Sequence, residues 1–304
     1  MAIVGRISTY AVFQNTWRNI SNTQSSVFNL QGQLSSGLKA DSFAGLTGQV
    51  EQFTQLNAKI SKTKTYEENN AVGISRLQTT NTALNQIIEI ADDIEDLMVL
   101  RRNPTMANNM AFEQQIKAKM DALAAELNTT FEGRFLFGGT KTNVNPVIVD
   151  PKTPGPVTVG RLDANYYQGS EEDLTLRAAD NVDIKYNVRA DNEAFQKLFG
   201  GIALALQGHT ENSDAILKQA IDMIQEGQAD LNAVQASVNT NIVTLQDQNT
   251  RHEALRLYWK GVTEEVSKTD ILAASTQLAV DQTVLQASFQ AFAQINRLRL
   301  TDYL

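Results

Sequence analysis

Residues 271–304 read ILAASTQLAVDQTVLQASFQAFAQINRLRLTDYL, and this stretch decides the fold. Ile271, Leu278, Leu285 and Phe292 recur every seven residues, Ala274 and Ile295 add to a second row, and no Pro or Gly interrupts the run. That repeat belongs to a helix whose apolar stripe faces another helix. A helix of about 30 residues is about 45 Å long, more than a compact domain needs at its end. Its mate is expected at the opposite end of the chain. Phe13, Ile20, Val27 and Leu34 keep the same seven-residue step there, with Trp17 and Leu30 beside it. An apolar helix at a chain end needs cover, from its mate or from another molecule.

The prolines say where such helices can run. All five are Pro104, Pro146, Pro151, Pro154 and Pro156. Because Pro breaks helix interiors, the two outer parts can hold long helices and the centre cannot. The first helix is predicted over 10–36, ended by Gly37, with Gly45 and Gly48 in the loop that follows. Val50 to Ile60 reads as helical but weakly patterned, and a long amphipathic helix runs from Tyr66 to Arg102 with Leu77, Leu84, Ala91 and Met98 in its seam. Phe112, Ile116, Met120, Leu123, Leu127 and Phe131 give another helix at three- and four-residue steps. Residues 134–190 then change character: Val157-Thr-Val, Leu174-Thr-Leu and Val182 to Val188 are rich in strand formers, with Asp180-Asn181 as a turn between the last two. Helix resumes near Asn192. After a Ser213 cap, Leu217, Ile224, Leu231, Val238 and Leu245 step by seven.

The expected fold is therefore mainly α. Long antiparallel N- and C-terminal helices form a coiled coil or helical bundle, with a small β-rich central insertion. The expected division is 1–45 with 260–304 as a terminal helical domain, 46–135 with 192–259 as a helical bundle, and 136–191 as a β-rich outer insertion.

Composition narrows the function. With 42% hydrophobic and 20% charged residues over 304 positions, the chain can build a core. A net charge of −8 argues against nucleic acid and anionic membranes as partners, and no apolar run is long enough to span a bilayer. Cysteine is absent, which removes disulfides, thiolate metal sites and Cys nucleophiles together. The start lacks the charged, apolar and cleavage regions of a secretory signal, so export, if it occurs, is expected without a cleaved Sec signal.

No residue set points to catalysis, a cofactor or a metal. His209 and His252 stand 43 positions apart without other ligands at metal spacing, and read as surface or helix histidines. The acidic run Glu89, Asp92, Asp93, Glu95, Asp96 reads as the solvated side of an amphipathic helix. Gly138-Gly139-Thr140-Lys141-Thr142 lacks the first glycine of a phosphate-binding loop and reads as a turn. The sequons at Asn19 and Asn128 read as chance matches within helices. Gln24, Asn81, Gln228 and Asn241 fall in the seams, either as imperfect heptads or as polar groups that fix register at some cost in stability.

Several stretches together resemble the bacterial flagellins: Arg6-Ile-Ser-Thr9, Leu34-Ser-Ser-Gly37, Leu77-Gln-Thr-Thr80, Gly133-Arg-Phe-Leu-Phe-Gly-Gly-Thr-Lys-Thr142, Tyr167-Gln-Gly169 and Leu298-Arg-Leu-Thr-Asp-Tyr-Leu304. The opening and the ending are most similar to the branch of that family that joins hook to filament. After Ser-Ser-Gly-Leu-Lys the chain runs Ala40-Asp-Ser-Phe-Ala-Gly45, where the family usually has Asp-Asp-Pro or Asp-Asp-Ala. The resemblance implies a non-enzymatic, extracellular subunit of the flagellum, at the hook–filament junction, that polymerises through its terminal helices. It implies as partners copies of itself, a neighbouring hook-associated protein and flagellin, an export chaperone, and the flagellar type III export apparatus. The assembly interface is expected to be the two stripes: Phe13, Trp17, Ile20, Val27, Leu34, Ile271, Leu278, Leu285, Phe292 and Ile295. Filament flagellin is the alternative within the family, and a free-standing coiled-coil binding or signalling rod is the alternative of another class.

Overall fold

The computed structural model describes residues 9–39, 50–103, 111–149 and 164–301, the last seven and the first two by their backbone alone. Arg6 to Ser8 of the opening motif, the loop 40–49, Pro104, Pro151, Pro154, Pro156, the Val157-Thr-Val run and the final Asp302-Tyr-Leu304 lie outside the described residues.

Among the described residues there are six helices and two short hairpins. In order they are α1 (Thr9–Ser36), α2 (Val50–Arg102), α3 (Phe112–Leu127), β1 (Thr130–Phe131), β2 (Arg134–Phe135), β3 (Thr175–Ala179), β4 (Val182–Lys185), α4 (Glu193–Thr210), α5 (Asp214–Ser267) and α6 (Ile271–Thr301). The fold is mainly α with long first and last helices and small antiparallel strand pairs in the middle. Helix α2 is longer than the pattern predicts: the expected break near residues 61–65 does not exist. Ser61 to Thr65 contains no Pro or Gly. Nothing in the segment breaks a helix, and α2 meets α5 on both sides of it, Lys59 lying over the Trp259 ring and Asn70 bonding to Asn249.

The chain divides into two compact units, residues 1–61 with 255–304 and residues 62–254. In the first, α1 and α6 pack side by side and antiparallel. Phe13 meets Phe292 with ring centroids 5.2 Å apart, and Ser26 Oγ donates to Asp281 at 2.6 Å. At the other end Thr269 Oγ1 reaches Gln33 Oε1 at 3.3 Å. Gly37 terminates α1 in the left-handed region, φ 72°, and its N–H bonds to Gln33 O at 2.8 Å. The residues after it form a short antiparallel bridge, Lys39 N–H to Ser267 O at 2.8 Å and Thr269 N–H to Gly37 O at 2.9 Å. Asp270 then caps α6 through the Ala273 N–H.

The second unit holds most of the core. Leu77, Leu84, Ala91 and Met98 of α2, and Leu217, Ile224, Leu231, Val238 and Leu245 of α5, are all buried. The pair keeps one register along an exposed flank: Gln225 donates to Glu95, Gln228 to Asp92 and Gln235 to Asn85. Helix α4, capped by Asn192, is buried on most sides. It approaches α5 closely enough that a Cβ on Gly201 would lie 2.7 Å from Ile224. The β1–β2 hairpin pairs Thr130 with Phe135. The β3–β4 hairpin pairs Thr175 with Lys185 and turns at Asp180-Asn181, Asn181 having φ 61°. Leu136, Phe137, Val147, Ala178 and Ile184 from the middle section share the core of these helices.

Candidate assembly surface

The α1/α6 pair places the predicted stripes against each other within one chain. With Phe13, Ile20, Val27 and Leu34 at heptad position a, Thr16, Thr23 and Leu30 fall at d. With Ile271, Leu278, Leu285 and Phe292 at a, Ala274, Asp281 and Ser288 fall at d. Ile20 is 2% exposed and Ala274 is buried, while Phe13, Val27, Leu34, Leu278, Leu285 and Phe292 are half-buried. Ile271, at the start of α6, is exposed. The side chain of Ile295 lies outside the described residues. Among the described side chains the inner d row on α6 is small or polar, so only part of the apolar repeat is satisfied from within.

What the stripes leave uncovered lies beside them. Trp17 is 56% exposed, Phe28 75%, Leu272 78% and Phe289 46%. Trp17 and Phe289 occupy position e, and Phe28 and Leu272 occupy b, which adjoins e around a helix. In an antiparallel pair like-lettered flanks come to the same side. The four side chains therefore make one apolar row along one side of the pair, with the Trp17 ring reaching back to Phe292 at 6.2 Å. Sequence reading missed Phe28, Leu272 and Phe289 because it followed the repeat itself. The detectable signal was large apolar residues one step off the stripe.

The other candidates resolve into structure. His252 is buried and its Nε2 donates to Ala178 O at 2.7 Å, so it is not a surface residue. Its burial follows from position, since it continues the α5 seam seven residues after Leu245. His209 accepts from Arg101 Nε at 2.7 Å, and burial first, then the Arg101 charge, lowers its pKa. Of the acidic run, Asp92 and Glu95 accept the glutamines of α5 and Asp93 pairs with Lys119. Residues 138–142 form a turn in which Ser170 N–H bonds to Gly138 O, and a Cβ on Gly139 would lie 2.3 Å from Ser170 O. Asn128 sits just past the end of α3, where it holds Val147 by two hydrogen bonds. Gln228 and Asn241 each bond across elements, to Asp92 and to Lys185 O.

A cavity of about 150 Å³ beside Leu77, Asn187 and Val238 has cationic walls. Those cations are already paired, Lys185 with Asp173, and Arg189 with Asp173 and Asp191. Among the described residues no three His, Asp or Glu side chains gather as a metal site, and no helix is long and apolar enough to cross a membrane.

The fold and its surface define a class: a mainly α chain whose first and last helices pair and carry an apolar row. The family model of the bacterial flagellin N-terminal helical region matches residues 7–142. A curated flagellin of Brucella melitensis is 21% identical over 242 residues, 79% of this chain and 84% of that one. Two solved structures share the fold. One is a Vibrio parahaemolyticus chain assigned as a flagellar hook-associated protein, with TM-score 0.60 and 18% identity, covering 71% of this chain and 96% of that one. The other is FlgL of Bacillus cereus, with TM-score 0.56 and 14% identity, covering 69% and 98%. Over residues 7–142 the chain is thus similar to the N-terminal helical region of bacterial flagellins, and it shares its fold with the two hook-associated chains.

Proposed function

We propose that this chain joins hook to filament, as a protein of the hook-associated protein 3 type, and that it polymerises through α1 and α6. The observation that carries the polymerisation is the row Trp17, Phe28, Leu272 and Phe289, exposed on one side of a pair whose own seam is only half-buried. In this reading Phe13, Ile20, Val27, Leu34, Leu278, Leu285 and Phe292 hold the pair together, and Trp17 and Ile271 with the row meet the neighbour. Contacts of this kind are weak singly and add by repetition along a lattice. The partners are further copies, an adjoining hook-associated protein and flagellin, reached after export with a chaperone through the type III apparatus to the outside of the cell. The Arg6-Ile-Ser-Thr9 opening, the Asp302-Tyr-Leu304 ending and the fold likeness to two hook-associated chains support the junction over the filament. The name of the Brucella relative favours filament flagellin as the second reading.

Electron microscopy of a strain lacking the gene separates the two. Bare hooks with flagellin shed into the medium support the junction role, and hooks with no flagellin made support the filament role. Phe28→Asp with Leu272→Asp tests the row itself. Both sites are exposed, so the monomer's stability is expected to move by no more than about 0.5 kcal/mol while incorporation is lost. Normal incorporation by that double variant would mean the row is not an interface.

A further inference from the structure

We infer that residues 62–76 of α2 and 241–254 of α5 form a separately opening section of the helix pair, closed in the folded state by the tip of the β3–β4 hairpin. The seam changes chemistry there. From Leu77 to Met98 every seventh residue of α2 is apolar and buried, but one and two steps back stand Asn70 and Thr63, equally buried and polar. On α5 the row Leu217 to Leu245 is continued by buried His252. Between Lys62 and Arg76, α2 fully buries no apolar side chain larger than a glycine; Ile74 is half-buried.

Polar bonds converging on the hairpin close this section. The ladder register is interrupted between Arg177 and Ala179, and the bulged Ala178 is fully buried. Its carbonyl accepts from Asn70 Nδ2 of α2 at 3.1 Å and from His252 Nε2 of α5 at 2.7 Å, so one hairpin oxygen ties the two helices. A carbonyl oxygen only accepts, hence His252 carries its proton on Nε2. Asn70 Nδ2 also donates to Asn249 Oδ1 at 2.9 Å. At the hairpin turn Asp180 accepts from Lys62 at 2.6 Å and from Tyr66 at 3.0 Å, and the Tyr66 ring stacks on His252 with centroids 5.4 Å apart. The main apolar filling also comes from the hairpin: Leu176 lies over Gly73, where a Cβ would be 2.6 Å from its Cδ2, and Leu245 is close by.

Closure here leaves two buried polar atoms of α2 unpaired, against one, Asn81 Oδ1, in the seam from Leu77 to Met98. Asn70 Oδ1 is buried without a partner, and so is Arg76 Nε. Arg76 is buried against Phe135 O and the Tyr186 ring, and desolvation lowers its pKa. Hydrogen bonds return little net free energy after desolvation, and unpaired buried groups subtract from that. A section so held opens before a fully apolar one, as a sub-global unit.

Amide hydrogen exchange of the full chain tests this. In the wild type, 62–72 and 247–254 are expected to exchange at least about tenfold faster than 80–98 and 217–240, the spread expected of distinct opening units. Equal protection in the two sections overturns the inference. His252→Ala removes one donor to Ala178 and the stack on Tyr66. It is expected to speed 62–72 and 247–254 by about a further tenfold while 80–98 stays unchanged; an even rise across both sections overturns it. Should that variant fail to fold, Asp180→Ala at the exposed turn removes only the bonds from Lys62 and Tyr66. Faster exchange confined to 62–72 supports the inference, and no change there overturns it.

Discussion

The α1/α6 pair and the α2/α5 pair use the same seven-residue repeat but bury it to different depths. In the residue 62–254 unit the seam positions of α5 from Leu217 to Leu245 are at most 2% exposed, because α4, α3 and the hairpins surround the pair. In the other unit Ile20, Leu56 and Ala274 are the buried apolar side chains among the described residues, and the remaining seam positions are half-open. A heptad stripe therefore specifies that two helices meet, but whether the meeting completes a core depends on what else is packed around them. The deeply buried pair is self-sufficient, whereas the shallow pair keeps apolar surface available.

That contrast can be broken by truncation. Leu231→Ala removes a side chain with no exposure and is expected to cost about 2–5 kcal/mol. Leu285→Ala, at a half-buried seam position, is expected to cost about 1–2 kcal/mol. Denaturant melting of the full chain measures both, and an equal loss would put the outer pair on the same footing as the core. Glycine replacements sharpen the same point at smaller scale. Gly201→Ala would drive a Cβ to 2.7 Å from Ile224 and 3.2 Å from Ala220 O, and about 1–3 kcal/mol of destabilisation is expected. Gly261, within α5, has nothing within 4 Å of such a Cβ, so Gly261→Ala is expected to stabilise by about 0.5–1 kcal/mol. Opposite signs in thermal melting would confirm the difference in packing, and equal signs would contradict it.

The smallest expected effect is electrostatic. The hydrogen bond from Lys62 and then that from Tyr66 hold the Asp180 pKa below its ordinary value. A carboxylate with a lower pKa folded than unfolded adds stability above the unfolded pKa and loses it as pH falls through the folded one. Asp180 is exposed, so solvent screens the pair. Asp180→Asn should flatten a slight acid-side slope in melting temperature below about pH 4 and lower the melting temperature slightly near neutrality, where the wild-type carboxylate is charged. A slope unaltered by the substitution would show that this carboxylate does not report hairpin docking.

Much of this was legible beforehand. The five-step row from Leu217, the seam from Leu77, the Gly37 stop, the return to helix near Asn192, the Ser213 cap and the Asp180-Asn181 turn all follow from local chemistry. The continuity of α2 through Ser61 to Thr65 was not legible, because an apolar periodicity cannot register a stretch whose inward residues are polar. For the same reason Asn70 was passed over and His252 was not placed in the seam, although each stands one heptad beyond a recognised row. The row of Trp17, Phe28, Leu272 and Phe289 needs the pairing of two distant helices before its members share a side.

The glutamine contacts along α2 and α5 bear on how this chain can change over evolutionary time. Gln225, Gln228 and Gln235 meet Glu95, Asp92 and Asn85, so steps of three and seven on one helix match the same steps on the other. Adding one residue within either span would turn everything beyond it by about 100° around the axis. It would misplace the polar flank and the buried row together. Lineages descending from this sequence should therefore differ freely by replacement between residues 85 and 95, and between 225 and 235, yet almost never in length there. Gains and losses of residues should gather instead outside these two spans.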